Sequence, residues 1–582
     1  MSVGIEQNRG GDETVNLSMS IRRRRRGAFR LCVTIASVVI GTSSAQCSRT
    51  QSAPLTLDTF IGEFVAAAED SGGGDLSAKA FADAAAKTRA DLERLRSIDR
   101  AGLSPDEQID WRFADSILQG RLLSQERVES WKRDPRVYLG FRPISSAIGR
   151  PGEALPKADG IVRSLKAIPA RLENGARNLA VDVPRFRELG LFMAEGSLAV
   201  FDKEIPAFAE SVPTRKDEIL QASRAGRAAV DRFIVFLKND LPQKPKGDFA
   251  IGKDTYDLML EQQYLLPYDS ESLYAYAWEQ FNHTVTELET VAKQIDATKT
   301  WQQIAREVKN EYPAPDQMMQ AHQDWVDKSA AHIRAHDLIP IPWKEQVTVV
   351  PRAEYLRKTS YYGNFSRAPE QNAAGVFAAQ WQINPFEDHW DATTKQEYLV
   401  EHDWGVIIVT APHETYAGHH IQSLYQMHNP RILRRTQGIS ILSEGWGLYN
   451  EQLMQETGFF PSERIHLRQL QLRLWRNARV VWDVGIHTGK MSYEEAVSLL
   501  SDRVGFLRWA AELEVAASAE AAGYRIGYFM GMSEILKMRE EFKERMGSRF
   551  SLRDFHERLL KVGNMPPALM REGLMQSIAK TP

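Results

Sequence analysis

The feature that most limits how this chain can fold is an eight-residue segment with three histidines and a glutamate. The segment reads His413-Glu414-Thr415-Tyr416-Ala417-Gly418-His419-His420. The whole chain of 582 residues has only 13 histidines, so this density favours a metal site over a polar helix end. Catalytic zinc is held by neutral imidazoles and a carboxylate, with a further position left for water. The segment therefore predicts a zinc site, and the fold must bring side chains from separate turns to one ion.

The spacing of the histidines requires an interruption of the helix. Side chains four positions apart in a helix lie about 40° apart in azimuth, so both can reach one ion. His413 and His419 are roughly 120° out of phase, whereas His413 and His420 are nearly in phase but about 10.5 Å apart along the axis. Gly418 can adopt the backbone conformations that a bulge or break needs. We therefore expect a distorted helix near Gly418, with His413 and His419 on the metal and His420 as the alternative to His419.

Two glutamates are predicted to take different roles in this site. Glu414 follows the first histidine, so its carboxylate can stay off the metal and accept the proton of the attacking water. Glu444 is followed by small and aromatic residues that permit close packing of helices, with Ser443 as the expected helix cap. Glu444 is the predicted third ligand, although the helix dipole alone also favours a glutamate in a first turn. Glu451, two turns later, could orient a ligand histidine or could be solvated.

Composition excludes some classes of protein. The formal net charge of −3 gives no indication of a nucleic-acid partner. Both cysteines lie within the first 47 residues, so the rest of the chain has none to form a disulfide framework. A mature chain without a transmembrane span, acting on a peptide or a small amide, is the expected outcome. The oligomeric state is left open.

The N-terminus predicts export to the periplasm or the medium. Residues 22–26 are arginines, and residues 31–41 form an apolar stretch too short to span a bilayer comfortably. Small residues then precede a predicted cleavage after Ala45, so residues 1–45 are interpreted as a signal peptide. Cys47 leaves a lipoprotein open. The alternative is a disordered basic tail.

The remaining sequence predicts a mainly α-helical fold with a small β-sheet beside the active-site helix. Apolar residues recur at helical spacing within residues 46–345, which we interpret as an N-terminal helical region. Residues 346–582 are the expected catalytic region. Residues 346–351 and 374–384 are candidate strands, and residues 395–421 form one helical run into the histidine cluster. An edge of such a sheet could hold an extended peptide through main-chain hydrogen bonds.

The motifs resemble those of a known bacterial family. The domain-of-unknown-function 885 proteins, grouped with gluzincin-like zinc peptidases, carry His-Glu-x-x-Pro-Gly-His-His, then Glu-Gly-Trp-Ala-Leu-Tyr, then Asp-x-Gly-x-His. This chain has the corresponding segments at residues 413–420, 444–449 and 483–487, in the same order. The match is specific over about residues 340–540 and looser across the N-terminal helices.

The resemblance implies a large helical zinc-peptidase-like fold. It also implies that His413, one of the paired histidines and Glu444 hold zinc, with Glu414 as the base. Two positions depart from the family pattern. Ala417 replaces the proline before the glycine, which could relax the distortion of the helix. The family's Pro-Gly-Gln-Ala-x-x-Tyr is represented mainly by its tyrosine, Tyr524.

His487 and Tyr524 are the candidates for stabilising the oxyanion. A donor opposite the metal is needed when the scissile carbonyl becomes tetrahedral, and loss of one donor typically costs about 2.7–4 kcal/mol. Asp483, one turn before His487, could fix the tautomer of that ring by accepting its second N–H. The alternatives are that His487 is a packed polar residue and that Tyr524 is ordinary helix surface.

Together these features predict an exported zinc-dependent metallopeptidase that hydrolyses short peptides. One alternative is a zinc hydrolase of a non-peptide amide or ester, because the metal chemistry would be the same. Another is a non-catalytic helical binding protein whose site has decayed. The residues do not distinguish endo- from exopeptidase action.

Overall fold

The chain folds mainly into α-helices because most of its segments carry apolar side chains at helical spacing, which confirms the mainly α fold class. A computed structural model describes residues 55–70, 74–149, 153–352, 357 and 363–579. The predicted signal peptide, residues 1–45, and Cys47 lie outside these ranges. No helix within them is both long and apolar enough to cross a membrane.

In the described ranges, thirteen α-helices precede the sheet. They are α1 (Leu57–Asp70), α2 (Ala78–Arg96), α3 (Pro105–Leu122), α4 (Ser130–Arg133), α5 (Arg142–Gly149), α6 (Ala154–Asn178), α7 (Pro184–Gly196), α8 (Ile205–Glu210), α9 (Lys216–Asn239), α10 (Lys253–Leu258), α11 (Ser270–Ile295), α12 (Trp301–Lys309) and α13 (Met318–Ala335). The helices that follow the sheet are α14 (Ala392–Glu401), α15 (Trp404–Glu414), α16 (His419–Met427), α17 (Ile432–Thr436), α18 (Ser440–Glu456), α19 (Glu463–Thr488), α20 (Tyr493–Ser498), α21 (Arg508–Glu520), α22 (Gly527–Met546), α23 (Leu552–Val562) and α24 (Pro567–Ala579).

A small sheet lies between α13 and α14. Its strands are β1 (Glu345–Pro351), β2 (Asn364–Ser366) and β3 (Phe377–Ile383), in the order β1-β3-β2. β1 runs parallel to β3, and β2 runs antiparallel to it with Phe365 opposite Trp381. The strands predicted at residues 346–351 and 374–384 are therefore confirmed. β2 was not predicted, because three residues are too few for a recognisable alternation.

The larger apolar core draws buried side chains from Leu57 to Leu574, and therefore from both sides of residue 345. A smaller core lies within residues 138–241, where α6 packs against α9. α19 runs through the larger core, and every residue from 467 to 487 is buried. A helix surrounded on all sides in this way gives the elements around it a rigid support.

The single helical run predicted for residues 395–421 is wrong, because the chain divides it into α14, α15 and α16. Asp403 caps α15 by accepting a hydrogen bond from the Val406 N–H at 3.1 Å. The same carboxylate forms a buried ion pair with Arg468 at 2.9 Å. Because Asp403 accepts a capping hydrogen bond and is also held by Arg468, a new helix begins after it and α14 does not continue.

His556 connects α23 with α18 inside the core. Its Nδ1 donates to the Leu338 carbonyl at 2.8 Å, and its Nε2 accepts from the Tyr449 hydroxyl at 2.8 Å. The ring is buried. Burial lowers the pKa of His556 to about 4. The folded protein therefore favours the neutral ring, whose Nε2 lone pair accepts the hydrogen bond from Tyr449.

We expect this ring to make folding stability depend on pH. Its pKa is lower in the folded than in the unfolded chain, so its contribution is complete above pH 6.5 and is lost as pH falls toward 4. Between pH 7 and pH 4, the free energy of unfolding should fall more in the wild type than in His556→Gln, by up to about 3 kcal/mol. Urea denaturation at several pH values measures this difference, and parallel pH curves would contradict it.

Candidate metal centre

Three predicted ligands meet between α15, α16 and α18. Nε2 of His413 lies 3.8 Å and Nε2 of His419 lies 3.5 Å from Oε2 of Glu444. One donor atom from each residue lies within 4.8 Å of the others. Two ligand atoms on a tetrahedral zinc ion are separated by about 3.4 Å, given metal–ligand distances near 2.1 Å. The spacing of the three side chains therefore suits a shared ion.

The helix break at Gly418 makes this meeting possible. α15 ends at Glu414 and α16 begins at His419, which is the interruption that the histidine spacing predicts. The Gly418 N–H donates to the Pro412 carbonyl at 2.9 Å. A Cβ at Gly418 would lie 1.7 Å from the His413 carbonyl oxygen, so only glycine fits here.

We expect Gly418→Ala to disrupt the site and the local fold together. The added methyl group must displace backbone, and overpacking of this kind costs about 2 kcal/mol. Thermal unfolding should show the lower stability, and zinc titration should show the weaker zinc binding. Gly160→Ala is the matched control, since a Cβ at that helical position meets nothing within 4 Å. Equal stability and zinc affinity in the two variants would contradict the close approach.

Glycines also bring α18 against its neighbours. A Cβ at Gly447 would lie 2.6 Å from Cε1 of His413, so this glycine gives the histidine ring its place. Gly445 instead faces Gly531 of α22, where a Cβ would lie 2.4 Å from the Gly531 Cα. Ser443 is not the helix cap that was predicted, because α18 already begins at Ser440. Glu444 therefore lies beyond the first turn, and a simple dipole effect does not explain it.

A buried hydrogen bond fixes the tautomer of His413. Its Nδ1 donates to Oε1 of Glu451 at 2.9 Å, and Glu451 is fully buried. Arg476 lies 3.6 Å from the same oxygen. With the proton on Nδ1, the lone pair of Nε2 is directed toward His419 and Glu444. Glu451 thus acts as a carboxylate that orients a ligand histidine.

The electrostatics favour a positive charge at this point. Burial lowers the pKa of His413, but the nearby carboxylates of Glu444 and Glu451 outweigh it and raise the pKa to about 9. Burial raises the pKa of Glu444, but the nearby imidazoles of His413 and His419 outweigh it and hold the pKa well below its usual value. Two imidazoles surrounded by carboxylates thus suit a bound divalent cation, so the residues fit zinc.

Glu414 is the last residue of α15 and is half-buried. It directly follows His413 in the chain, and its charge contributes to the raised pKa of that histidine. Among the residues that the structure describes, Glu414 has no hydrogen-bond or ion-pair partner. Its carboxylate is therefore available to a ligand of the site.

His420 points to the sheet and not to the donor group. Its Nε2 lies 2.8 Å from Oε2 of Glu345 at the start of β1. The Tyr416 hydroxyl donates to the same carboxylate. Of the two adjacent histidines, the donor group therefore contains His419, while His420 fastens α16 to the sheet.

Tyr524 touches the site through Glu444. Its hydroxyl donates to Oε1 of Glu444 at 3.0 Å, and burial together with the Glu444 charge raises the pKa of Tyr524 to about 12. Sequence reasoning missed Tyr528, whose ring centroid lies 6.4 Å from that of His413. Arg479 lies over the Tyr528 ring at 4.4 Å. Tyr528 is one helical turn after Tyr524 in the sequence, and this spacing could have indicated that both rings lie at the site.

His487 lies in a different buried environment. Its Nε2 donates to the Ser518 carbonyl at 3.0 Å, and its ring packs against Phe249 and Tyr256. The predicted bond from His487 to Asp483 is not formed. Oδ1 of Asp483 accepts instead from the Tyr256 hydroxyl and from the backbone N–H of Gly523, two buried donors. His487 is not part of the donor group, and its role at the oxyanion stays a prediction.

Comparisons with known proteins show the family. The model of the family described as "Bacterial protein of unknown function (DUF885)" matches residues 56–574. No curated protein matches the chain. A candidate lipoprotein of unknown function from Shewanella oneidensis is similar in structure, with a TM-score of 0.75 at 19% identity over 89% of this chain and 98% of that one.

A candidate lipoprotein from Colwellia psychrerythraea is similar as well, with a TM-score of 0.70 at 16% identity over 85% of this chain and 91% of that one. At these identities the likeness establishes a shared fold alone. The family match covers most of the chain and contains all three donor residues. The protein therefore belongs to the bacterial DUF885 family, whose function is unknown.

Proposed function

We propose that the protein is an exported zinc-dependent metallopeptidase that hydrolyses short peptides. The observation that carries the proposal is the convergence of His413, His419 and Glu444, with Glu414 next to the first of them. Two imidazoles and one carboxylate form the donor set of many catalytic zinc sites. An adjacent glutamate that does not bind the metal can then act as the general base.

Each residue then has a defined task. Bound zinc would polarise the scissile carbonyl and lower the pKa of the attacking water. Glu414 accepts the proton of that water and passes it to the leaving amine. Glu451 keeps Nε2 of His413 free by accepting the Nδ1 proton. The Tyr524 hydroxyl donates to Glu444 when no substrate is bound, and it is the candidate donor to the developing oxyanion during the reaction.

The sheet supports a peptide as the substrate. In the described part of the chain β2 pairs with β3 alone, so it is an edge strand there. The ring centroid of Phe365 in β2 lies 6.4 Å from that of His419. An extended peptide that adds to this edge would pass close to the donor group, and main-chain pairing would not demand one sequence.

Export rests on the N-terminal segment. The apolar stretch at residues 31–41 after the arginines supports a signal peptide, and the similar structures from Shewanella and Colwellia are of candidate lipoproteins. Fractionation of cells that express the full chain would test export. Comparing Cys47→Ser with the wild type would test attachment of a lipid at that position.

The deciding experiment combines metal analysis with digestion of a peptide library read by mass spectrometry. The proposal predicts about one zinc ion per chain and cleavage that chelation abolishes and zinc restores. Turnover of non-peptide amides or esters with an uncut peptide library would favour the alternative hydrolase. Purified protein without zinc, with no loss of stability on chelation, would favour a helical binding protein.

A further inference from the structure

The turn that carries Tyr524 is fastened to α19 at two points. It connects α21, which ends at Glu520, with α22, which begins at Gly527. His487 donates from Nε2 to the Ser518 carbonyl at 3.0 Å, just before the turn. Asp483 accepts from the Gly523 N–H at 2.8 Å, within the turn. Both side chains come from the buried stretch of α19, so these hydrogen bonds connect the segment around Tyr524 to the packed core.

The second point lies directly beside the tyrosine. Gly523 has φ +76, and a Cβ there would lie 2.4 Å from Cε of Met259. The backbone at Gly523 therefore has a left-handed conformation that favours glycine, and Met259 would have to move to accept any side chain there. Oδ1 of Asp483 also accepts from the Tyr256 hydroxyl at 2.7 Å, and both partners are fully buried. This bond fixes the carboxylate that holds Gly523.

Tyr524 contacts the Glu444 oxygen that does not face the histidines. Its hydroxyl donates to Oε1, while Oε2 is the oxygen that lies 3.8 Å and 3.5 Å from the two histidine nitrogens. Tyr524 is 39% exposed, so packing holds its ring on part of its surface only. The bond from the Gly523 N–H to Asp483 adds a constraint on the backbone next to this ring.

We propose that Asp483 and His487 are positioning residues that hold Tyr524 against Glu444 and so keep Oε2 directed at the histidines. The inference rests on the proposed function, because it treats Glu444 as a metal ligand. It assigns no contact with the reacting atoms to either residue. It also gives the Asp-x-Gly-x-His motif at residues 483–487 a physical task.

The geometry further indicates that Asp483 works as an acceptor and not through its charge. Oδ1 takes both hydrogen bonds, whereas the buried Oδ2 has no hydrogen-bond partner among the described residues. An asparagine with its amide oxygen in the Oδ1 position can accept the same two bonds. A leucine of similar size can accept neither.

Four variants test the proposal through activity. Asp483→Asn should retain most of kcat, whereas Asp483→Leu should lose about as much as Tyr524→Phe, roughly 10²–10³-fold, with KM little changed. The double variant of Asp483→Leu and Tyr524→Phe should be no slower than Tyr524→Phe, because one residue acts through the other. Additive losses, or equal losses in the Asn and Leu variants, would overturn it.

A readout independent of activity separates this proposal from the proposed function. With 3-fluorotyrosine at position 524, the ¹⁹F resonance should be the same in the wild type and Asp483→Asn, and shifted or broadened in Asp483→Leu. The same label at Tyr493 should not respond, which excludes general misfolding. If the wild type cleaves no peptide, the proposed function fails while this signal still decides the positioning. An unchanged Tyr524 signal in Asp483→Leu would overturn it.

A second variant guards against failure of Asp483→Leu to fold. His487→Phe keeps the ring volume but removes the hydrogen bond to the Ser518 carbonyl. The Tyr524 signal should change in the same direction as in Asp483→Leu, with the Tyr493 signal unchanged. A Tyr524 signal identical to that of the wild type would show that His487 is no anchor and overturn that half of the proposal.

Discussion

Glu414→Gln is expected to lower kcat/KM for peptide cleavage by roughly 10²–10⁴-fold while zinc remains bound. The amide has the shape of the carboxylate but cannot accept the proton of the attacking water. Glu414 is not among the three donors, so the zinc content should remain that of the wild type. Steady-state kinetics and metal analysis on the same preparation measure both quantities.

Glu540→Gln is the matched control, because this glutamate lies on α22 with a side chain 57% exposed. Its rate and zinc content should equal those of the wild type. A Glu414→Gln enzyme that cleaves peptides at the wild-type rate would remove Glu414 from the mechanism. Loss of zinc in Glu414→Gln would instead show that this carboxylate supports the metal.

His419→Ala is expected to lower zinc affinity by roughly 10³-fold, about 4 kcal/mol, on the view that three protein ligands share a zinc-binding free energy of about 10–16 kcal/mol. His420→Gln should retain zinc, because that ring lies against Glu345 and outside the donor group. Competition titration with a chromophoric chelator measures both affinities, and activity should follow zinc occupancy.

Comparing His419→Ala with His420→Gln shows which of the two adjacent histidines binds zinc. His283→Ala serves as a surface control, since that side chain is 66% exposed. Zinc loss in His420→Gln with retention in His419→Ala would reverse the ligand assignment. Retention in both variants would exclude a site built on this segment.

Much of the site could be predicted from local spacing. A helix has a fixed angular period, so the separations from His413 to His419 and His420 already require an interruption near Gly418. The structure has that break, and it adds the reason why glycine is needed, namely the approach to the His413 carbonyl. The contact of Glu451 with His413 could also be anticipated from spacing along α18.

Contacts between distant parts of the chain could not be predicted in this way. Asp483 is one turn from His487, which favoured a bond between them, yet Gly523 and Tyr256 supply the donors that it accepts. The helical run before the cluster is divided because Asp403 finds Arg468 on α19. β2 forms because β3 offers it a partner, and three residues carry no pattern of their own.

The order and types of the residues alone determined that this protein is mainly helical, that its helix breaks beside Gly418, and that histidines and glutamates are concentrated there. These follow from periodicity and backbone freedom, which are local properties. Only the tertiary structure decided that His419 faces Glu444 while His420 faces Glu345, and that Asp483 serves the turn of Tyr524. Neighbouring helical residues point about 100° apart, so the partners that each one meets depend on where remote elements pack.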